Sequence, residues 1–273
     1  MIVKKSATLV MALGLATLAA GCAHRQGGPT SSTYQTRRQL ARELIGQGDW
    51  QPAFAYVDQL HREQPEDPDV LVLRATIYRE RNLLNEAEAD LREAIRLAPE
   101  LAAARAGMGI VADLGHRPQE AEEHLRVAVK LDPQNAAYLN NLGFSLFLHG
   151  KVKDAIPYYE QSARLGPTVR RTRTNLGFAY AARGDLQRAA REFQMGGTAA
   201  EAKINLGFAY ERRGDMANAF TQYAEAVQLD PASTRARANL AHAAAATGRS
   251  VPALPEASPR PLSSPPPTEE SVQ

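Results

Sequence analysis

The stretch "NLGFAYAARGD" at residues 175–185 returns almost unchanged as "NLGFAYERRGD" at 205–215, and a third version, "NNLGFSLFLHG", lies upstream at 140–150. Self-similarity at intervals of this size marks a chain built from stacked supersecondary units, and it outranks any local reading of secondary structure. The question is how far the unit extends, and why one interval is shorter than the other.

Placing Leu176 and Gly177 at positions 7 and 8 of a unit puts Tyr180 at 11, Gly184 at 15, Ala189 at 20 and Phe193 at 24. The frame runs in both directions. Unit one, 34–67, carries Gly48, Trp50, Ala53 and Pro65, and unit two, 68–101, carries Tyr78, Ala87, Ala94 and Pro99. Unit three, 102–135, carries Gly109, Ala121, Ala128 and Pro133, and unit four, 136–169, carries Leu142, Gly143, Gly150, Ala155 and Pro167. Unit six, 200–233, again places a proline, Pro231, at position 32. Small residues at 8 and 20 allow two helices to pack closely, a glycine or polar residue near 15 ends the first, and proline at 32 stops the second.

These residues at these positions resemble the tetratricopeptide (TPR) pattern. The resemblance implies an all-α solenoid of antiparallel helix pairs, each burying its apolar face on the next. Arg74, at position 7 of unit two, and His116, at position 15 of unit three with Gly115 one place early, depart from the pattern without breaking the helical period. Unit five runs only from 170 to 199. After Phe193 come Gln194, Met195, Gly196 and Gly197, so its second helix is expected to be about one turn short. A change of superhelical pitch at that point and a neutral deletion both fit. A last helix over 234–248 is expected to cap the final apolar face, and the proline-rich segment 249–273 reads as a disordered tail.

The ends of the chain carry other information. Lys4 and Lys5, an uncharged stretch from Ser6 to Gly21 and the sequence Leu18-Ala19-Ala20-Gly21-Cys22 form a secretory signal over 1–21. The stretch falls short of the roughly 20 apolar residues that span a bilayer. It resembles a bacterial lipobox, with Ala19 in place of the favoured leucine. The resemblance implies cleavage before Cys22, acylation of that residue, a membrane anchor and a tether over 22–33; Ala23 after the cysteine implies the outer membrane, with the solenoid facing the periplasm. Cys22 is the only cysteine, which excludes an intramolecular disulfide.

Catalytic signals are absent from the sequence: it holds no HExxH, P-loop, dinucleotide glycine fingerprint or GxSxG. His116, Glu120 and His124 are spaced four apart, but the histidines are two turns apart, too wide for one ion on a straight helix, so no metal and no cofactor is expected. A net charge of +2 without basic runs interleaved with aromatics gives no nucleic-acid footprint. The expected partner is protein.

In TPR proteins the concave face is lined by positions 2, 5, 6, 9, 12 and 13 of the first helices. By that resemblance the candidate groove holds Asn140, Asn141, Phe144, Phe147 and Leu148 in unit four, Arg171, Asn175 and Phe178 in unit five, and Glu201, Asn205 and Phe208 in unit six. A ladder of Phe144, Phe178 and Phe208 beside the asparagines suits an apolar or amphipathic peptide; packing between neighbouring first helices is the competing account. Taken together, lipobox, repeats and shortened unit resemble the TadD-type lipoproteins of Flp pilus assembly and the pilotins of type IV pili. That resemblance implies a non-enzymatic adaptor meeting a secretin or another pilus component. The alternative is a TPR scaffold for peptidoglycan synthases or hydrolases.

Overall fold

Every unit marked out by the repeat becomes a helical hairpin in the computed structural model, which describes residues 31–166 and 170–252. The hairpins are α1 (Ser31–Gln47) with α2 (Trp50–Glu63), α3 (Pro68–Glu80) with α4 (Leu84–Leu97), and α5 (Ala102–Leu114) with α6 (Pro118–Leu131). They continue with α7 (Ala136–Leu148) and α8 (Val152–Leu165), α9 (Arg170–Arg183) and α10 (Leu186–Gly196), and α11 (Ala199–Glu211) and α12 (Met216–Leu229). The cap is α13 (Thr234–Thr247). The described residues are thus all-α, each helix packing on its sequence neighbours and each first helix on the first helix of the next hairpin. The signal segment, Cys22, the tether as far as residue 30, Pro167 and the tail from residue 253 lie outside the described residues. Helix α1 begins at Ser31, inside the segment expected as tether, because nothing in Ser31–Thr33 interrupts a helix.

The regularity has local causes. Side chains of Asp67, Asn135, Asp185, Thr198, Asp215 and Ser233 cap helix starts by accepting backbone N–H bonds. Second helices α2, α4, α6, α8 and α12 all end at position 30 of their units, two residues before the proline place. Helix α10 ends three residues earlier, at Gly196. Only glycine fits at that end: a Cβ on Gly196 would lie 2.9 Å from Arg173 Cβ and 3.2 Å from the Arg170 carbonyl oxygen, so the end of α10 rests directly on the first turn of α9.

Glycine at position 8 is what brings the two helices of a hairpin together. A Cβ on Gly177 would stand 2.5 Å from Phe193 Cε1, one on Gly207 2.6 Å from Tyr223 Cε1, and one on Gly143 3.0 Å from Tyr159 Cδ1. In each case the aromatic is the residue at position 24, buried on the missing side chain. The turn between the helices is left-handed at position 15 throughout: Gly48, Gly150, Gly184 and Gly214 have φ between 78° and 96°, and Asn82 and His116 adopt φ of 59° and 58°. Gly115 does not shift the turn by one place as its position suggests; its φ is −81°, and His116 takes the left-handed conformation itself. Arg74, the other departure, replaces an apolar contact by a bidentate pair, its Nε and Nη2 donating to Asp90 Oδ2 and Oδ1 at 2.7 and 2.6 Å.

Candidate interaction groove

First helices α7, α9 and α11 stand side by side, and what their exposed faces carry follows from the helical period. Positions 9, 12 and 13 of consecutive units fall into one row near the helix C-termini, positions 2 and 6 into another near the N-termini. The first row builds an apolar cavity of about 400 Å³, lined by Phe147, Phe178, Ala181, Ala182, Phe208 and Ala209, with Arg212 and Arg213 at its rim.

Phe178 is its central residue. Its ring meets Phe208 edge-on, with centroids 5.9 Å apart and planes at 89°, and on its other side meets the core ring of Phe193 at 4.8 Å. Cavity wall and core packing are therefore the same residue, so the two accounts of the phenylalanine ladder describe two sides of one ring. Phe208 is 40% exposed. Phe144 is 47% exposed and stands outside this ring cluster, while Phe147, one turn further along α7, lines the cavity. Leu148 and Leu114 extend the exposed apolar surface towards unit three.

The asparagines are committed differently. Asn140 is buried, and its Oδ1 accepts from Asn175 Nδ2 at 3.1 Å and from Thr172 Oγ1 at 3.4 Å, tying α7 to α9. Asn205 is buried and accepts from Arg235 of α13 at 3.4 Å. Asn141 is half-buried and makes no side-chain hydrogen bond with another described residue. Three of the amides expected to be offered to a peptide, those of Asn140, Asn175 and Asn205, thus join helices to one another. Arg171 is exposed and lines a second depression with Asn175, Asn205 and Arg235.

The remaining lining residues, Ala181, Ala182, Arg212, Ala209 and Arg213, occupy positions 10 and 12 to 14 of units five and six. Extending the position reading past 9 in those units would have found the first three; Arg213 lies in the turn, which no groove position marks.

The chemistry available elsewhere is structural. Asp113 Oδ1 lies 2.8 Å from His149 Nε2 and accepts from Ser145 Oγ at 3.1 Å. The serine thus addresses the carboxylate and not the imidazole, the reverse of what an activated nucleophile needs. His116 is not on the helical face expected for it, because it forms the turn before α6; His124 Nε2 lies 4.0 Å from Glu120. Burial and then Arg105 lower the His124 pKa, and burial and then Arg74 lower that of His61. Among the described residues no helix is long and apolar enough to cross a membrane.

Comparison with solved structures finds the same architecture. PilF of Pseudomonas aeruginosa superposes with a TM-score of 0.59 at 18% identity, over 77% of this chain and 97% of its own. PilW, described as a widely conserved type IV pilus biogenesis factor, gives 0.63 at 20% identity over 76% and 98%. YrrB, described as a TPR protein with an unusual peptide-binding site, gives 0.52 at 23% identity over 67% and 96%. No curated protein sequence matches the chain. Tetratricopeptide repeat profiles match residues 38–102, 112–170, 145–196 and 200–233, the last being unit six to the residue. With most of the chain covered by that repeat, and with the hairpins, turns and close helix contacts that define it in place, the protein belongs to the tetratricopeptide repeat family, whose members act as protein-interaction scaffolds.

Proposed function

We propose that the chain is a lipoprotein held at the inner leaflet of the outer membrane by acyl chains on Cys22, and that it acts without catalysis as an adaptor in pilus or secretion machinery. In this reading the concave face of units four to six holds a segment of a secretin or another pilus component. The observation that carries it is the apolar cavity around Phe147, Phe178 and Phe208, open to solvent on a rigid face that a monomer gains nothing by leaving uncovered. The lipobox-like stretch Leu18–Cys22 supports the anchor, since two or more acyl chains hold a protein stably where one does not. The shared architecture with PilF and PilW agrees with a role in pilus assembly.

The test is an envelope pull-down with the full chain beside Phe208→Ala, whose ring is exposed enough to remove without opening the core. Recovery of a secretin or pilus protein by the parent and its loss with the folded variant is the expected result. Recovery of peptidoglycan synthases or hydrolases would shift the assignment to a cell-wall scaffold. For the anchor, labelled palmitate should enter the parent and not Cys22→Ser, and the variant should leave the membrane fraction.

A further inference from the structure

The short α10 does more than close unit five early. Its last residue, Gly196, and Gly197 just after it border a depression of about 370 Å³ lined also by Arg170, Arg171, Thr174, Asn175, Glu201, Asn205 and Arg235. Arg170 braces the wall: its Nε donates to the Gly196 carbonyl at 3.2 Å, and its Nη2 meets Glu201 Oε2 at 2.5 Å. Glu201 is further occupied by the backbone N–H of Thr198 at 2.7 Å, which with Arg170 holds its pKa down and keeps it a carboxylate. One arginine and the one acid of the depression therefore cancel. Arg171 and Arg235 remain; both are exposed, and neither pairs with a carboxylate among the described residues.

The same imbalance holds across the groove. Arg212 and Arg213 rim the apolar cavity, while Glu211 is engaged by the Tyr223 hydroxyl at 2.7 Å and by His242 at 3.6 Å. Cavity and depression share the first helices α9 and α11, one at each end, the cavity reaching on to α7 and the depression to α13. Asn175 and Ala181, which mark the two, are six residues apart on α9, about 9 Å at a rise of about 1.5 Å per residue. An extended strand covers that distance in about three residues.

We propose that the groove takes an extended segment of a partner protein with a bulky apolar side chain in the Phe178–Phe208 cavity and, about three residues away, a carboxylate between Arg171 and Arg235. This rests on the reading that the concave face of units four to six is the binding face, and it adds that the missing turn of unit five makes the anion site.

The test is titration of the full chain with short fluorescent Gly/Ser peptides carrying one Leu and one Asp at that spacing, in both orders, against the same peptides with Asn for Asp. The Asp peptide is expected to bind about tenfold more tightly than its Asn partner, an advantage that shrinks with salt. Arg171→Ala with Arg235→Ala should erase the advantage while leaving the helical circular dichroism unchanged. Equal binding of Asp and Asn peptides, with Phe208→Ala weakening both, would overturn the anion site and leave the apolar groove standing. Failure of every peptide to bind would overturn the proposal, and the envelope pull-down would then judge the groove separately. A chain ending at Pro252 that binds the Asp peptide far better than the full chain would overturn it too, by assigning the site to the protein's own tail with its Glu269 and Glu270.

Discussion

Tyr159 and Tyr223 stand at the same place in units four and six, both fully buried, yet only one has a hydrogen bond. Tyr223 donates to Glu211 at 2.7 Å; Tyr159 Oη has no partner among the described residues because Phe147 occupies in unit four the position that Glu211 occupies in unit six. The residue that lines the groove leaves a phenol stranded behind it. A buried hydroxyl without a partner costs about 1–3 kcal/mol, so Tyr159→Phe should be neutral or stabilising, while Tyr223→Phe should lose about 1 kcal/mol. Urea unfolding of the two variants checks this, and a larger loss for Tyr159→Phe would contradict it.

Gly177→Ala should destabilise by about 1–3 kcal/mol, since its methyl would meet the Phe193 ring at 2.5 Å and the ring is enclosed. Adding Phe193→Leu should recover part of that loss. A Gly177→Ala protein as stable as the parent would show that the hairpin spreads at no cost, against the close-packing argument.

His116 and Asn82 hold the left-handed turn that glycine holds in the other hairpins. For a residue with a Cβ this conformation costs about 1–2 kcal/mol, partly offset for asparagine by local hydrogen bonding. His116→Gly should therefore raise the unfolding midpoint more than Asn82→Gly. A fall in the midpoint with His116→Gly would refute the strain at this turn.

Arg74 and Asp90 form a pair with little solvent contact, which makes single and double replacements behave differently. Asp90→Ala alone should cost about 3–5 kcal/mol by leaving the guanidinium unpaired, whereas Arg74→Leu with Asp90→Leu should be close to neutral. Calorimetric melting of the three proteins distinguishes this from simple additivity.

The lowered pKa of His124 sets a pH dependence. Both folded and unfolded chains hold this imidazole neutral at high pH; as pH falls through the unfolded value of about 6.5, the unfolded chain gains a proton that the folded chain resists. Stability should thus decline from pH 7.5 to 5.5, above the range in which Glu88 and Glu122, whose pKa values are lowered by Arg117 and Lys151, lose their charge. Urea midpoints across this range should show a shallower decline for His124→Gln; the same slope in both proteins would rule out this residue as the source.

The repeat was legible because its determinants are local: a glycine at 8 facing an aromatic at 24, a turn at 15 and a stop at 32 each leave a mark on the sequence at fixed offsets. The groove was legible only in part. Phe178 and Phe208 could be placed on one face from the helical period, but the period does not say that Asn140 and Asn205 spend their carbonyl oxygens on neighbouring helices. Nor does it say that Phe147, rather than Phe144, turns into the cavity. Such choices depend on contacts between units, which the sequence of any one unit does not encode. Arg74 shows a different limit, inside one unit: its partner Asp90 lies on the other helix of the same hairpin and reads in sequence as an ordinary surface acid.

The early end of α10 also settles which parts of this chain are exchangeable. Units three and four share length and end at the same position, so a copy of one could replace the other and keep every later helix in step. Unit five has no such substitute: Arg170 at its start meets both the Gly196 carbonyl at its early end and Glu201 of the next unit, and all three line the depression. The solenoid is modular on either side of that joint and singular at it.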